Sequence, residues 1–281
     1  MPKHIPAFDN NNQPIVAEGN SIVPLVYFNR LFLKPGESHE FRLSKHESCV
    51  VPVSGHCKVE VGGEVFDNIG ERKTLWEAMP NGVYVPTDTA CTVSCGSEPM
   101  EIFVAGGVYE EQLEPFAIRT PDIDLVQYGS DDTKTHRKIK HILGQANVEN
   151  RGRLLVSELF TVGAGGWSGF PPHKHDTERP PVETRYEEVY NFRFNPDHGF
   201  GCQFDYLEDG GMGDPHHIKN GSTYMIDKGY HPCVAAPGYE MYYFTIIVGE
   251  TSKSLIQFFE PTHEYQVETF PGIKDMVAKF K

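Results

Sequence analysis

Short runs of β-branched and aromatic residues, interrupted at close intervals by Gly and Pro, limit what this chain can fold into. The 281 residues include 27 Gly and 21 Pro, and long helical periodicity is scarce. Runs of Val, Ile, Tyr, Phe and Thr bounded by turn residues are typical of many short antiparallel strands. One such run ends at Val61, where Gly62 and Gly63 predict a tight turn into the next strand. The sequence therefore predicts an all-β protein.

The strand-like runs occur in two series with a similar layout. Between the series, residues 114–138 are polar, contain Pro and Gly and show little alternation, which suits a connecting segment. We therefore predict two β-barrels in tandem, residues 1–135 and residues 136–281. The runs behind this prediction are SCVVPVSGHCKVEV, GVYVPTDTACTVSC and MEIFVAGGVY in the first series, and RLLVSELFTV, EEVYNFRF, GFGCQFDYLED, STYMIDKGYHPCVAA and YEMYYFTIIVG in the second.

The overall charge limits the kinds of molecule that the protein is expected to bind. The formal net charge of -14 argues against a nucleic-acid-binding surface or a polybasic membrane surface. We expect a small-molecule partner, and an anionic one needs local positive charge from a metal ion or from a few Arg and Lys side chains. The segment MPKHIPAFDNNNQP lacks the apolar core of a signal peptide, and no apolar run has the length of a membrane span. A cytoplasmic location is therefore expected.

The C-terminal segment predicts a short amphipathic helix. Ile273, Met276, Val277 and Phe280 recur at helical spacing in TFPGIKDMVAKFK. We interpret this helix as a packing element or an oligomer contact, and we expect a homo-oligomer.

Histidines of the second series form the pattern that indicates chemistry. Successive strand side chains face opposite sides, so His173 and His175 point the same way while Lys174 points the other way. Glu188 opens the next strand-like run, and His231 approaches from a later strand. Three neutral imidazoles and one carboxylate leave coordination positions for water or substrate, which is typical of a catalytic metal site. We predict that these four residues bind one divalent ion.

The first series contains no comparable pair. His39, His46 and His56 occur singly among ordinary residues. A lone histidine is more often a surface or core residue than a metal ligand. We therefore expect the first barrel to be free of metal.

Three segments of the chain resemble a known family. The segment GGWSGFPPHKHD, the strand EEVYNFRF and the segment GYHPCVAAPGYEMYYF resemble the 5-deoxy-glucuronate isomerases of bacterial inositol catabolism. They resemble more distantly the 4-deoxy-threo-5-hexosulose-uronate ketol-isomerases. The similarity covers nearly the whole chain and implies two tandem cupin barrels, each a double-stranded β-helix or jelly roll. It also implies that His173, His175, Glu188 and His231 are the ligands, with Glu187 as the alternative to Glu188.

The resemblance also implies a reaction and a cofactor. The reaction is the aldose–ketose isomerisation of 5-deoxy-glucuronate to 5-dehydro-2-deoxy-gluconate, which requires no redox cofactor. One divalent metal ion is implied, with zinc favoured and manganese or iron as alternatives. Tyr190 shares the inward face of Glu188 and is a candidate for moving the proton between carbon atoms. Glu183 and Glu187 are acidic candidates for the same role on the preceding loop.

The substrate carboxylate requires a cationic partner. Strand parity turns Lys174 and Arg193 away from the barrel interior, which leaves Arg185 as the candidate. Tyr243 is a candidate for contributing a hydroxyl group to the pocket.

Two other functions remain open from the sequence. Three histidines and a glutamate also suit iron or manganese, so a cupin oxygenase is one alternative. A sugar-binding bicupin that has lost catalysis is the other.

Overall fold

Strands dominate the computed structural model, which describes residues 2–208 and 211–279. The predicted all-β class is confirmed. The first ten strands are β1 (His4–Ile5), β2 (Val26–Leu33), β3 (Ser38–Phe41), β4 (His46–Ser54), β5 (His56–Val61), β6 (Glu64–Gly70), β7 (Gly82–Val85), β8 (Cys91–Cys95), β9 (Met100–Val108) and β10 (Phe116–Ile118). The other twelve are β11 (Asp124–Tyr128), β12 (Arg137–Leu143), β13 (Leu154–Thr161), β14 (Trp167–Ser168), β15 (His173–Lys174), β16 (Tyr186–Asn195), β17 (Phe200–Asp205), β18 (Asp214–Lys219), β19 (Thr223–Ile226), β20 (Cys233–Ala235), β21 (Glu240–Gly249) and β22 (Phe258–Phe259).

Helical structure is brief. Two 3₁₀ turns span Thr120–Asp122 and Gln145–Asn147, and two α-helices, α1 (Gln266–Thr269) and α2 (Ile273–Lys279), follow the last strand. None of the helices in the described residues has the length and apolar character that crossing a membrane requires.

The predicted turn after Val61 is present. Strands β5 and β6 form an antiparallel hairpin in which Val61 pairs with Glu64. The two residues between them, Gly62 and Gly63, have φ angles of 58° and 94°. A two-residue turn with positive φ at both positions matches the twist of the flanking strands, and glycine adopts that backbone at the lowest cost.

Four antiparallel sheets form successive layers. Sheet C has the strand order β3-β8-β5-β6, sheet B β10-β7-β4-β9-β2, sheet A β1-β19-β16-β21-β13-β12-β11, and sheet D β14-β20-β17-β18. One apolar cluster lies between sheets C and B, and another lies between sheets A and D. A third cluster lies between sheets B and A and joins Phe28 and Phe103 to Phe244. Sheets A and B are therefore covered on both faces.

Strand β16 shows how residue parity produces this layering. Tyr190 and Phe192 belong to the cluster between sheets A and D, which is the interior of the second barrel. Val189 belongs to the cluster between sheets A and B. Because side chains alternate along a strand, Glu188 faces the second barrel's interior and Glu187 faces the first half of the chain.

The chain passes from sheet B to sheet A before residue 135. Strand β10 pairs with β7 in sheet B, whereas β11 pairs with β12 in sheet A. The predicted boundary near residue 135 thus falls inside the β11–β12 hairpin. On this pairing we propose the division between Ile118 and Asp124. The N-terminal strand β1 also lies in sheet A, where it pairs with β19.

A buried ion pair connects the two halves. Arg72 donates from Nη1 to Oε2 of Glu158 at 2.9 Å and from Nη2 to Oε1 at 2.5 Å. Tyr242 donates its hydroxyl to the same carboxylate, and Lys140 lies 3.6 Å from it. All four side chains are buried, so the pair is shielded from solvent.

Helix α2 packs on the second barrel. Ile273 and Met276 are buried in the cluster between sheets A and D, and Val277 packs against it. The predicted amphipathic packing is therefore present. Phe280, the fourth residue of the predicted stripe, lies outside the described residues.

Candidate metal centre and its cavity

Three predicted metal ligands converge inside the second barrel. His175 follows β15, Glu188 lies in β16, and His231 lies in the turn between β19 and β20. One ligand atom from each of the three lies within 4.8 Å of the others. All three side chains are buried. In the described part of the chain, this is the one cluster of His, Cys, Asp and Glu side chains with such spacing.

Main-chain carbonyl groups orient the imidazoles. Nδ1 of His175 lies 3.1 Å from the carbonyl oxygen of Tyr186, and Nδ1 of His231 lies 2.9 Å from that of Gly229. A carbonyl oxygen only accepts hydrogen bonds, so each Nδ1 carries a proton and Nε2 of each ring faces the centre, where a neutral ring offers a lone pair to a metal ion. Backbone partners of this kind commonly orient metal-binding histidines.

The convergent atoms are chemically suited to a cation. Oε2 of Glu188 lies 3.2 Å from Nε2 of His175 and 3.4 Å from Nε2 of His231. Nε2 of His231 is buried and makes no hydrogen bond to any described residue. Two imidazole lone pairs and a carboxylate oxygen repel one another unless a proton or a metal ion lies between them. This donor set therefore fits a divalent metal ion.

The short distances at the centre also shift the pKa values of Glu188 and His175. Burial alone would raise the pKa of Glu188, but His175 and His231 outweigh burial and lower it to about 2. Burial lowers the pKa of His175, and the Glu188 carboxylate overcomes this effect and raises it. The carboxyl group is therefore ionised at neutral pH, as a metal ligand must be.

His173 lies beside the three convergent residues, outside the cluster itself. Its ring centroid is 5.1 Å from that of His231. Its Nδ1 lies 3.0 Å from the carbonyl oxygen of Pro171, and its Nε2 accepts a hydrogen bond from the side-chain amide of Gln257 at 3.0 Å. Burial and the neighbouring imidazoles lower the pKa of His173 well below its ordinary value, so the ring is neutral. Its role as the fourth ligand stays a prediction.

A buried acidic residue fixes the segment that carries two of the histidines. Lys174 points away from the centre, as parity predicts, and its Nζ lies 3.1 Å from both carboxylate oxygens of Glu183. The same carboxylate accepts hydrogen bonds from the backbone N–H groups of Asp176 and Thr177 and from the side chain of Arg179. This network holds the Lys174 side chain before His175 and the backbone directly after it.

A cavity that opens to solvent leads to the metal centre. His173 and Glu188 lie in its wall, and the C-terminal helix contributes Met276. Its other residues are Tyr128, Arg137, Ile139, His141, Gly144, Gln145, Leu155, Ser157, Leu159, Gly169, Phe170, Tyr190, Tyr243, Thr245, Ile247, Leu255, Gln257 and Phe259.

Two of the predicted pocket residues lie in this cavity. Tyr190 and Tyr243 both line it, with ring centroids 4.4 Å apart. Burial raises the pKa of Tyr190 well above its ordinary value, which keeps the phenol protonated. The Tyr243 hydroxyl accepts a hydrogen bond from Arg137 at 3.1 Å and lies 2.5 Å from the hydroxyl of Ser168.

The structure does not bring Glu187 and Arg185 into this cavity. Glu187 faces the first half of the chain, where its carboxylate accepts a hydrogen bond from the backbone N–H of Leu25 at 2.8 Å. Arg185 pairs with Glu250 at 3.1 Å, on the outside of the barrel. Alternation along β16 explains Glu187, since its neighbour Glu188 occupies the inward position. Arg185 precedes that strand and points to solvent.

Arg137, His141 and Gln257 are polar residues of the cavity that the sequence patterns did not predict. Arg137 and His141 lie in β12, and Gln257 precedes β22. Alternation along β12 places Arg137, Ile139 and His141 on one face, and that pattern was the available signal. The polar stretch before it obscured the strand.

Residues 3–266 match the family model of the KduI/IolB family. Two proteins named 5-deoxy-glucuronate isomerase, from Bacillus licheniformis and Bacillus subtilis strain 168, are each 32% identical to this chain over 254 residues. The aligned region covers 90% of this chain and 92% of each relative.

Solved structures share the architecture. An IolB-like protein from Salmonella typhimurium LT2 has a TM-score of 0.86 and 28% identity, and the match covers 94% of this chain and 99% of that one. Oxalate decarboxylase from Bacillus subtilis, a cupin, has a TM-score of 0.63 and 12% identity, with 99% and 85% of the two chains covered. The predicted cupin fold is thereby confirmed.

Proposed function

The chain belongs to the KduI/IolB family and is an isomerase, and from that premise we propose that it converts 5-deoxy-glucuronate to 5-dehydro-2-deoxy-gluconate in a metal-dependent reaction. The resemblance of the sequence to this family and the enzyme class that it implied are confirmed. The substrate, the metal and a role in inositol catabolism are part of the proposal. So are a cytoplasmic location and a homo-oligomeric state.

The convergence of His175, Glu188 and His231 at the end of the cavity carries the proposal. These residues, with His173 beside them, would hold a divalent ion, for which we favour zinc over manganese or iron. A bound divalent ion supplies a Lewis acid for the carbonyl and adjacent hydroxyl oxygens of an open-chain sugar acid. The donors are buried and oriented by backbone carbonyls, so binding requires little rearrangement.

Isomerisation also requires a group that moves a proton from C2 to C1. The raised pKa of Tyr190 makes its phenol a proton donor and excludes it as the base at neutral pH. Glu187 lies on the far side of sheet A. His141 lines the cavity, and its Nδ1 lies 2.9 Å from the Ser157 hydroxyl, which orients the ring. We therefore propose His141 as the residue that carries the proton.

The test is conversion of 5-deoxy-glucuronate by protein of known metal content, followed by NMR in D₂O under nitrogen. We expect turnover without oxygen, loss of turnover after chelation and its return with added metal. A His217→Ala variant is the control, because His217 lies on β18 outside the cavity. Absence of conversion by the metal-loaded protein would disprove the proposal. A requirement for oxygen would favour the cupin oxygenase instead.

A further inference from the structure

Arg137 is a buried arginine whose charge has no carboxylate partner among the described residues. It is 4% exposed, and its Nε makes no hydrogen bond. The described ion pairs do not include it. Its Nη2 donates to the Tyr243 hydroxyl at 3.1 Å, and its guanidinium carbon lies 5.3 Å from the ring centroid of Tyr128. Neutral aromatic neighbours thus surround a charge that burial makes costly.

The other buried arginines of the chain are satisfied differently. Arg72 binds Glu158 through two nitrogen atoms, and Arg193 binds Glu101 at 2.6 Å. Arg151 has no acidic partner within the described ranges, but its Nε, Nη1 and Nη2 each donate to a main-chain carbonyl at 2.9 Å. Arg137 has neither kind of partner in the part of the chain that the structure describes. The fold thus gives the other buried guanidinium groups carboxylate or carbonyl partners, and Arg137 differs from them in this respect.

The position of Arg137 places this charge in the same cavity as the metal centre. Strand β12 directs Arg137 and His141 into the cavity, and Glu188 is the one carboxylate among the described residues that line it. That carboxylate belongs to the metal centre, where Oε2 lies 3.2 Å from Nε2 of His175 and 3.4 Å from Nε2 of His231. A second anion in the cavity must therefore come from a ligand.

We propose that Arg137 binds the carboxylate group of the sugar acid substrate and makes the enzyme selective for uronates over neutral sugars. The inference rests on the proposed function for the identity of the substrate. A guanidinium group offers paired N–H donors that match the two oxygens of a carboxylate. The Tyr243 hydroxyl and the Tyr128 ring hold it in place. A chain with a net charge of -14 requires such a local cation to retain an anion.

The experiment compares two substrates in the metal-loaded enzyme. One is 5-deoxy-glucuronate, and the other is 5-deoxyglucose, in which a CH₂OH group replaces the carboxylate. Arg137→Met should lower kcat/KM for the uronate by about 100-fold or more and change that for the neutral sugar by less than about threefold. Arg137→Lys should restore part of the loss, because it returns the charge without the paired donors.

Arg151→Met is the matched control. It also removes a buried guanidinium group, but its partners are structural, so it should lower stability and leave the uronate preference unchanged. Equal losses for both substrates in Arg137→Met would overturn the inference and indicate a structural role. So would a preference that survives the substitution.

Calorimetric measurement of sugar binding tests this inference independently of the proposed function. If the wild-type enzyme does not isomerise 5-deoxy-glucuronate, the proposed function is wrong. A comparison of the affinities for glucuronate and glucose still tests the role of Arg137. We then expect tighter binding of glucuronate by wild type and no preference in Arg137→Met. Equal affinity of the wild-type protein for both sugars would overturn the inference.

Discussion

Nε2 of His175 lies 3.2 Å from Oε2 of Glu188, although His175 follows β15 and Glu188 lies in β16. The contact brings an imidazole oriented by the Tyr186 carbonyl against an ionised carboxylate. It defines the centre at which metal binding is proposed.

Removal of His175 should abolish metal binding while the barrel stays folded. We expect His175→Ala to weaken the affinity for a divalent ion by at least about 100-fold, since loss of a partner behind a ligand already costs 10- to 100-fold. Metal analysis after dialysis measures the loss, and circular dichroism checks the fold. Metal content and turnover equal to wild type would contradict the proposed centre.

Glu183 should influence metal binding without touching the metal centre. Its carboxylate binds the Lys174 side chain and the backbone N–H groups of Asp176 and Thr177, which follow His175. We expect Glu183→Gln to weaken metal affinity by about 10- to 100-fold, measured by competition with a chelating dye. Glu208→Gln is the control, because Glu208 is exposed and lies 3.7 Å from the same lysine. Equal effects of the two variants would argue against a positioning role.

Substitution of His141 should lower the turnover rate more than it weakens substrate binding. If it carries the proton, His141→Gln should lower kcat by about 10²- to 10⁴-fold, because general acid–base catalysis contributes in that range. The metal content and KM should change little. Exchange of the C2 proton with solvent, followed by NMR, should fall in parallel with kcat. Retained exchange in the variant would assign proton transfer to another residue.

The buried pair between Arg72 and Glu158 should dominate the stability of the contact between the two barrels. Arg72→Met leaves the Glu158 carboxylate buried and only partly compensated, so we expect a loss of about 3–5 kcal/mol in the free energy of unfolding. The double variant Arg72→Met/Glu158→Leu should recover much of this loss. Urea denaturation measures both. A double variant no more stable than the single one would contradict this account.

Lys140 should make stability depend on pH in alkaline solution. Burial lowers its pKa to about 8, despite the nearby Glu158 carboxylate. The unfolded chain, with a lysine pKa of 10.5, then binds more protons between these values, so the contribution of Lys140 to stability rises with pH in that window. Lys140→Met removes this dependence. The stability of the variant relative to wild type should therefore fall by about 1–3 kcal/mol from about pH 7 to about pH 10. A constant difference would contradict the lowered pKa.

Alternation along strands accounts for what the sequence predicts well. It places Glu188 and Tyr190 inside the second barrel and directs Lys174 and Arg193 elsewhere. These segments have regular apolar patterns, so one known inward residue fixes its neighbours. Parity within one strand does not relate residues of distant turns. The convergence of His231 with His175 was therefore expected from coordination chemistry and from the resemblance.

The cation in the cavity was less accessible to sequence reasoning. Arg137 begins a strand directly after a polar run, in a stretch that suits a connecting segment. Charged residues in such stretches are usually exposed, and nothing local indicates that β12 closes sheet A beside the cavity. Arg185, by contrast, lies next to the predicted metal ligands in sequence and points to solvent in the fold. Proximity to the metal ligands in sequence therefore did not identify the cation that lines the cavity.

The pairing of β1 with β19 has a consequence for the order in which the protein assembles. His4 pairs with Tyr224, so β1 leaves the ribosome about 220 residues before its partner strand and waits for it unpaired. The first barrel can form meanwhile from local hairpins, whereas this edge of sheet A is a late, long-range contact. We expect the N-terminal strand to dock last in refolding, which pulsed hydrogen exchange at Ile5 would record.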